Sequence, residues 1–267
     1  MFNHANRAIR KITGFTLLEL MLSITLSLFI LGSVTEIFIT MQKNFRLQLA
    51  LSSIQEHKRL TMEWLHADLS IAGYIGCPKL TENFPLKKFH QYELTPQNKI
   101  VISQNQITVR HASLKHTELL KDMMGFSTFV TNADEHFMAG NILLISDCMA
   151  AEIFQVKKII RSKNFQKLTT TEPLSSRFHK GAEVSKLEIN TYFTDKTDRK
   201  TESGLPLSAL YLTNIQHKKI ELVEGVDDMK VNFNQNHNGI YLSYLFSSVL
   251  ASSPLFKTGY QFVALRE

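Results

Sequence analysis

Between Glu19 and Glu36 the chain runs for sixteen residues without a charge, from Leu20-Met21-Leu22-Ser23 through Leu28-Phe29-Ile30-Leu31 to Thr35. The wider apolar run, Phe15 to Met41, is long enough to cross a bilayer as a helix, which takes about 20 residues. Ahead of it, Arg7, Arg10 and Lys11 stand in a short polar segment that holds no acid. That charge order predicts an N-terminus that stays in the cytoplasm and a remainder that is exported. A secretory signal would place a small-residue cleavage site after the apolar run. None follows it here, and the small residue that could serve, Gly14, precedes it. The apolar helix is therefore expected to remain in the mature protein.

Glu19 is the residue that fits a plain anchor worst. A carboxylate in hydrocarbon is unfavourable by a few kcal/mol, depending on depth. Two accounts stay open from the residues alone. The carboxylate sits at the headgroups or at the positive helix N-terminus, or it is paired with a cation. Composition sets the rest of the frame. With 267 residues, 44% hydrophobic and 20% charged, the chain is neither disordered, collagen-like nor a polytopic membrane protein. The net charge of +6 comes from 30 Lys+Arg against 24 Asp+Glu, and part of it lies in the leader, so it argues only weakly for nucleic acid.

The segment Gly14-Phe15-Thr16-Leu17-Leu18-Glu19, after a basic leader and before an apolar helix, resembles the type IV pilins position by position. The resemblance implies cleavage between Gly14 and Phe15 by a prepilin peptidase and methylation of the new Phe15 amine. It also implies that Glu19 of one subunit faces the N-terminal amine of a neighbour, so that each buried charge offsets part of the other's cost. Leu60–Cys77, with Ala67-Asp68-Leu69 and Ala72-Gly73-Tyr74-Ile75-Gly76-Cys77, looks like a signature of PilW-type minor pilins. Asn141–Cys148 with Ala151–Val156, and Glu221–Val226, are similar to two further blocks of that family. Major pilins usually carry a proline about twenty residues into the helix. Here no proline precedes Pro78, which leaves Gly32 and the Ser/Thr residues as weaker breakers.

Beyond the membrane segment, Leu47, Leu51, Ile54, Met62, Leu65 and Leu69 continue at three- and four-residue steps, with one wider gap. Arg59 and Glu63 form an i,i+4 pair on the other face, and Gly73, Gly76 and Pro78 end the helix. Downstream, 100–103, 107–111, 142–146, 153–160, 167–171, 184–193, 210–212, 219–223, 229–233 and 260–265 read as strands. A helical pass near Thr117–Met124 is compatible with the pattern. The expected fold class is α+β, a long N-terminal helix with a transmembrane first half packed on a mainly antiparallel β-sheet domain. The expected divisions are a leader at 1–14, a transmembrane and assembly helix at 15–41, its periplasmic continuation at 42–76 and a β-rich periplasmic domain at 77–267.

Cys77 and Cys148 are the two cysteines. An exported domain sits in an oxidising compartment, which favours a disulfide between them. Two buried thiols are the alternative, and a metal site is disfavoured because two cysteines fall short of a tetrahedral set. Asn234-Gln235-Asn236-His237-Asn238-Gly239 has the 1-3-5 spacing of an EF-hand loop, but its ligands are neutral amides and position twelve is Leu245. It reads as a hairpin turn with Asn-Gly at the tip. His111 and His116, with Glu118 nearby, read as exposed loop histidines. Lys157, Lys158, Arg161, Lys163 and Lys167 read as a solvated basic hairpin with Phe165 its one aromatic. No P-loop, G-x-G-x-x-G, G-x-S-x-G or C-x-x-C stands in the chain.

The expectation is a protein that is not an enzyme and needs no cofactor or metal, a minor pilin acting in type IV pilus assembly or initiation. Its expected partners are other minor and major pilins, the prepilin peptidase, the inner membrane and the pilus assembly platform, with DNA disfavoured. A minor pseudopilin of type II secretion satisfies the same N-terminal motif. A membrane-anchored periplasmic enzyme or binding module is the reading from another class.

Overall fold

The computed structural model describes residues 16–103, 105–200, 204, 206–234, 239–248 and 256–265. Helix α1 runs unbroken from Leu17 to Ser70. Thirteen strands follow: β1 (Leu86–Lys87), β2 (Ile100–Ser103), β3 (Gln106–Glu118), β4 (Thr128–Asn132), β5 (Ile142–Ser146), β6 (Ala151–Arg161) and β7 (Phe165–Thr170). Then come β8 (Glu183–Lys200), β9 (Pro206–Thr213), β10 (Lys219–Glu224), β11 (Val226–Asn234), β12 (Gly239–Ser247) and β13 (Phe256–Ala264). The chain divides into two compact units, one ending at Leu49 and the other Ala50–Glu267.

In the first unit every described residue is exposed. From Leu20 to Thr35 the helix carries no charge, and α1 is long and apolar enough to cross a membrane. Gly32 does not break it. Five of its hydroxyls are satisfied within the helix: Ser23, Thr25, Ser33, Thr35 and Thr40 each donate to the carbonyl four residues back. In hydrocarbon, where no water can serve these groups, such bonds remove the cost of carrying them.

In the second unit the C-terminal part of α1 becomes one-sided. Ala50, Ile54, Thr61, Leu65 and Leu69 are buried at steps of four and seven, so the helix lays one stripe on the sheets. Leu47, placed on that stripe by its spacing, is exposed. Arg59 holds Glu63 at 2.8 Å and Glu56 at 2.7 Å on the outer face. The helix ends before Gly73, which has φ +79° and donates its N–H to the Arg110 carbonyl at 2.9 Å.

Two sheets receive that stripe. The larger runs β10-β9-β8-β5-β6-β7-β4, with β3 also on β8, β2 on β3 and β1 on β6. Only β1 with β6 is a parallel pairing among the described residues. β8 is the spine: it pairs with β3 along one edge, and with β5 and then β9 along the other. The smaller sheet is the meander β11-β12-β13. Ile54, Leu65, Leu69 and Ala72 share one core with Ile107, Val109 and Tyr192 of the larger sheet and Met229, Leu242, Tyr244 and Phe246 of the smaller. Gly225 makes the crossing between the sheets. Its φ is +72°, its N–H donates to the Ser208 carbonyl, and its carbonyl accepts from the Ser247 N–H.

β5 is buried at all five positions, because it feeds two further cores. Leu143 and Ile145 join Phe129, Phe154 and Phe178 on one side, while Ile142 and Leu144 join Ile75, Leu94 and Leu187 on the other. The expected helical pass at Thr117–Met124 is not helical. Thr117 and Glu118 finish β3, and Leu119 bridges to Thr131. The segment is held by β4, a strand the sequence reading missed along with β1 and β12. The hairpin expected at 234–239 is present as the β11–β12 connection, and Gly239 stands in its ladder, paired with Asn234, rather than at the tip. Residues 235–238 between them lie outside the described residues.

Candidate functional site

Three features stand out for function: the start of α1, the cysteine link and a polar cluster beneath the end of α1. Gly14 and Phe15, the expected cleavage pair, lie outside the described residues. Glu19 is at the third position of α1 and folds back on the residue before the helix. Its Oε2 accepts from the Thr16 N–H at 3.2 Å and from the Thr16 hydroxyl at 3.1 Å, while the Glu19 N–H donates to Thr16 Oγ1 at 3.3 Å. This is a capping box, in which each residue satisfies the other's free backbone donor. Thr16-Leu17-Leu18-Glu19 carries that signal in the sequence. The carboxylate is exposed and lies at the positive end of the helix.

Cys77 and Cys148 are disulfide-bonded, with Cα atoms 5.4 Å apart. The bond ties the segment just after α1 to the β5–β6 turn. Gly76, at φ +99°, lets the chain pass close by: a Cβ there would stand 2.5 Å from Ser146 Oγ and 2.7 Å from the Glu183 carboxylate.

The third feature was not anticipated. Asp68 lies in the last turn of α1, where the helix dipole disfavours an acid, and it points into the sheet. Its Oδ2 accepts from the Tyr192 hydroxyl at 2.6 Å and from Asn190 Nδ2 at 2.7 Å. Its Oδ1 stands 3.6 Å from His111 Nε2, an ion-pair distance rather than a hydrogen bond. His111 is therefore not an exposed loop histidine: it is buried on β3. His116, by contrast, is exposed, with Nδ1 bonded to the Leu114 carbonyl. The two histidines differ because they stand five residues apart on β3, so that strand alternation turns them to opposite faces.

His111 Nδ1 is 2.9 Å from the Ala112 carbonyl. A carbonyl only accepts, so Nδ1 carries a proton. A neutral ring would then turn a lone pair toward Asp68, whereas the imidazolium offers an N–H. Burial pulls the His111 pKa down, but Asp68, the Ala112 carbonyl and the charge of Glu188 outweigh it, and the net shift is upward. Burial likewise raises Asp68, and the contacts of His111, Tyr192 and Asn190 overcome it, holding the carboxyl below its usual range. Burial, reinforced by Asp68, pushes the Tyr192 phenol well above its ordinary value. The sequence signal was present, since Asp68 falls three residues after Leu65 and seven after Thr61, on the buried stripe.

No protein-family model, curated protein or solved structure matches this chain. Its function is argued from these features and from the sequence motif. Among the described residues no group of three or more His, Cys, Asp or Glu is arranged to hold a metal ion. The Asp68 cluster is sealed under a helix, so it acts as a fastening between α1 and β3–β8 and offers no open face to a substrate.

Proposed function

We propose that this chain is a non-catalytic minor pilin that acts in type IV pilus assembly or initiation. The observation that carries the reading is the first part of α1. From Leu17 through Leu49 it is exposed on all sides, and from Leu17 to Thr35 its single charge is Glu19. A helix that is apolar all round needs lipid or other apolar helices as its surroundings. In the proposed role it has both in turn, bilayer before assembly and neighbouring pilin helices after it. Glu19 then exchanges its Thr16 cap for the amine of another subunit, a charged partner in a dry setting. The β domain, fastened to the end of α1, presents the surfaces that meet other minor pilins. The protein would sit in the inner membrane with a cytoplasmic N-terminus until it is drawn into the fibre.

Mass spectrometry of the mature chain tests this directly. The expected N-terminus is a methylated Phe15. An intact leader, or a cut after the apolar run, would overturn the proposal. Glu19→Ala should leave processing intact and impair piliation, and normal fibres in that variant would remove the pairing role. Crosslinking in cells should capture other pilins; capture of secretion pseudopilins alone would reassign the protein to type II secretion.

A further inference from the structure

Along one edge of β8 the two neighbouring strands do not meet. β5 pairs with it over Glu183–Lys186, and β9 takes over only at Thr191. From Leu187 to Asn190 that edge has no strand beside it, while β3 continues along the other edge. At this fork, between the start of β5 and the β9–β10 turn, a crevice of about 260 Å³ opens. A concave site into which several elements send both apolar and polar side chains is the usual setting for a small ligand.

The apolar part of the lining is Ile142, Leu187 and Ile215. Two amides are held in place beside it. Gln155 Nε2 donates to the Gly140 carbonyl at 3.2 Å, which leaves its Oε1 to accept. Asn141 Oδ1 accepts from the Met138 N–H at 2.9 Å, which leaves its Nδ2 to donate. Tyr92 and Gln216 complete the polar lining, and their side chains have no hydrogen-bond partner among the described residues. The turn that presents Gln216 is itself fixed. Asn214 Oδ1 accepts from the N–H groups of Gln216 at 3.0 Å and Lys218 at 3.1 Å, and the His217 N–H donates to the Asn214 carbonyl at 2.8 Å. Groups held this way lose little freedom when a ligand arrives.

Charge in the crevice has one sign. Lys186, half-buried, and His217, exposed, line it, and no acid does. Lys186 is in no ion pair among the described residues. The acids nearest in sequence act elsewhere: Glu188 on His111 and Tyr192, and Glu93 on Arg110.

These contents select among ligands. One ammonium matches one negative charge. Phosphate is held by guanidinium forks or by nests of backbone N–H groups, and no arginine lines the crevice. A free amino acid would bring an ammonium that meets no carboxylate here. Amides and a phenol offer both donors and acceptors, as hydroxyl groups require, and the aliphatic side chains suit the C–H face of a sugar ring.

From this arrangement we propose that the crevice where β8 passes from β5 to β9 binds a sugar acid, its carboxylate on Lys186 and its hydroxyls on Tyr92, Gln155 and Gln216. The site goes beyond the assembly role and is independent of how the N-terminus is processed.

The test is saturation-transfer NMR on the full chain in a polyoxyethylene detergent, which carries no sugar. The probes are glucuronate and N-acetylneuraminate, with glucose and acetate beside them. At least one sugar acid should bind saturably, with a Kd of about 1 mM or tighter. Glucose lacks the charge-assisted bond and acetate lacks the hydroxyls, so each should bind at least about tenfold more weakly. Lys186→Met should weaken binding of the acid about tenfold or more. Gln216→Ala, on an exposed turn that tolerates the change, should weaken it about threefold or more. Lys257→Met, on the smaller sheet, should bind as the parent does. Circular dichroism and the intact disulfide check that each variant is folded. Four results would overturn the proposal: neither acid binding saturably; glucose or acetate binding as tightly as the acids; acid binding that Lys186→Met or Gln216→Ala leaves as in the parent; or Lys257→Met as weak as Lys186→Met.

Discussion

Removing the carboxylate of Asp68 should loosen the end of α1 from the sheet, and the structure sets the size of the effect. Asp68→Ala strips the acceptor from the Tyr192 hydroxyl and the Asn190 amide, and leaves His111 buried with no anion on its oxygen-facing side. Breaking a buried pair by deleting one partner costs about 3–5 kcal/mol, because the other charge stays behind. For a domain of this size that is a fall in Tm of roughly 6–20 °C. Tyr192→Phe removes one bond to a charged acceptor and should cost less, about 1.5–3 kcal/mol. Trp64, the single tryptophan, lies on α1 close to the cluster in sequence, and its fluorescence can follow unfolding of the full chain in detergent.

The pH dependence gives a sharper check. The folded pKa of His111 is raised above 6.5, so its contribution is complete below pH 6.5 and is lost as pH rises through the folded value. The folded pKa of Asp68 is lowered from 3.8, so its contribution is complete above about that pH and is lost as pH falls through the folded value. The stability difference between the parent and Asp68→Asn should therefore be largest between these limits and shrink on both sides. A loss below ~1 kcal/mol for Asp68→Ala, or a difference flat from pH 4 to 9, would mean that apolar packing alone holds the helix end.

Three further outcomes are expected. Replacing both Cys77 and Cys148 by Ser opens a link between residues 71 apart in sequence, which should lower stability by about 4 kcal/mol in the chain-entropy model; an unchanged Tm under reducing and oxidising conditions would refute this. Gly225→Ala forces φ +72° on a residue with a Cβ that would stand 2.5 Å from the Ser247 carbonyl oxygen. It should cost at least ~2 kcal/mol, part of it from the left-handed conformation itself, read as a lower denaturation midpoint. Glu152 accepts from the Ser175 N–H at 2.9 Å and its hydroxyl at 2.6 Å, so Glu152→Ala should cost about 1–3 kcal/mol and speed proteolysis around Ser175.

The sequence carried the elements whose signals are local. An uncharged, apolar run of sixteen residues reads as a helix long and apolar enough to cross a membrane, and α1 follows it without a break at Gly32. Ile142–Ser146, five apolar or small residues in a row, became the strand buried on both faces. The Cys77–Cys148 link followed from the expected compartment and the count of two. Where long-range pairing decides, the reading stopped. Thr128–Asn132 is short and half polar, and it is a strand because β7 lies beside it. Thr117–Glu118 extend β3 because β8 continues past them.

The chain by itself thus determined where an apolar helix must form, that a strand-rich domain follows it, and which acid stands near its start. Only the tertiary structure decided that Asp68, His111, Asn190 and Tyr192 meet, though they lie up to 124 positions apart. Helix periodicity and apolar runs are properties of neighbouring residues. Charges and rings gathered from distant strands depend on register, and register is fixed by which faces are buried once the sheets have packed.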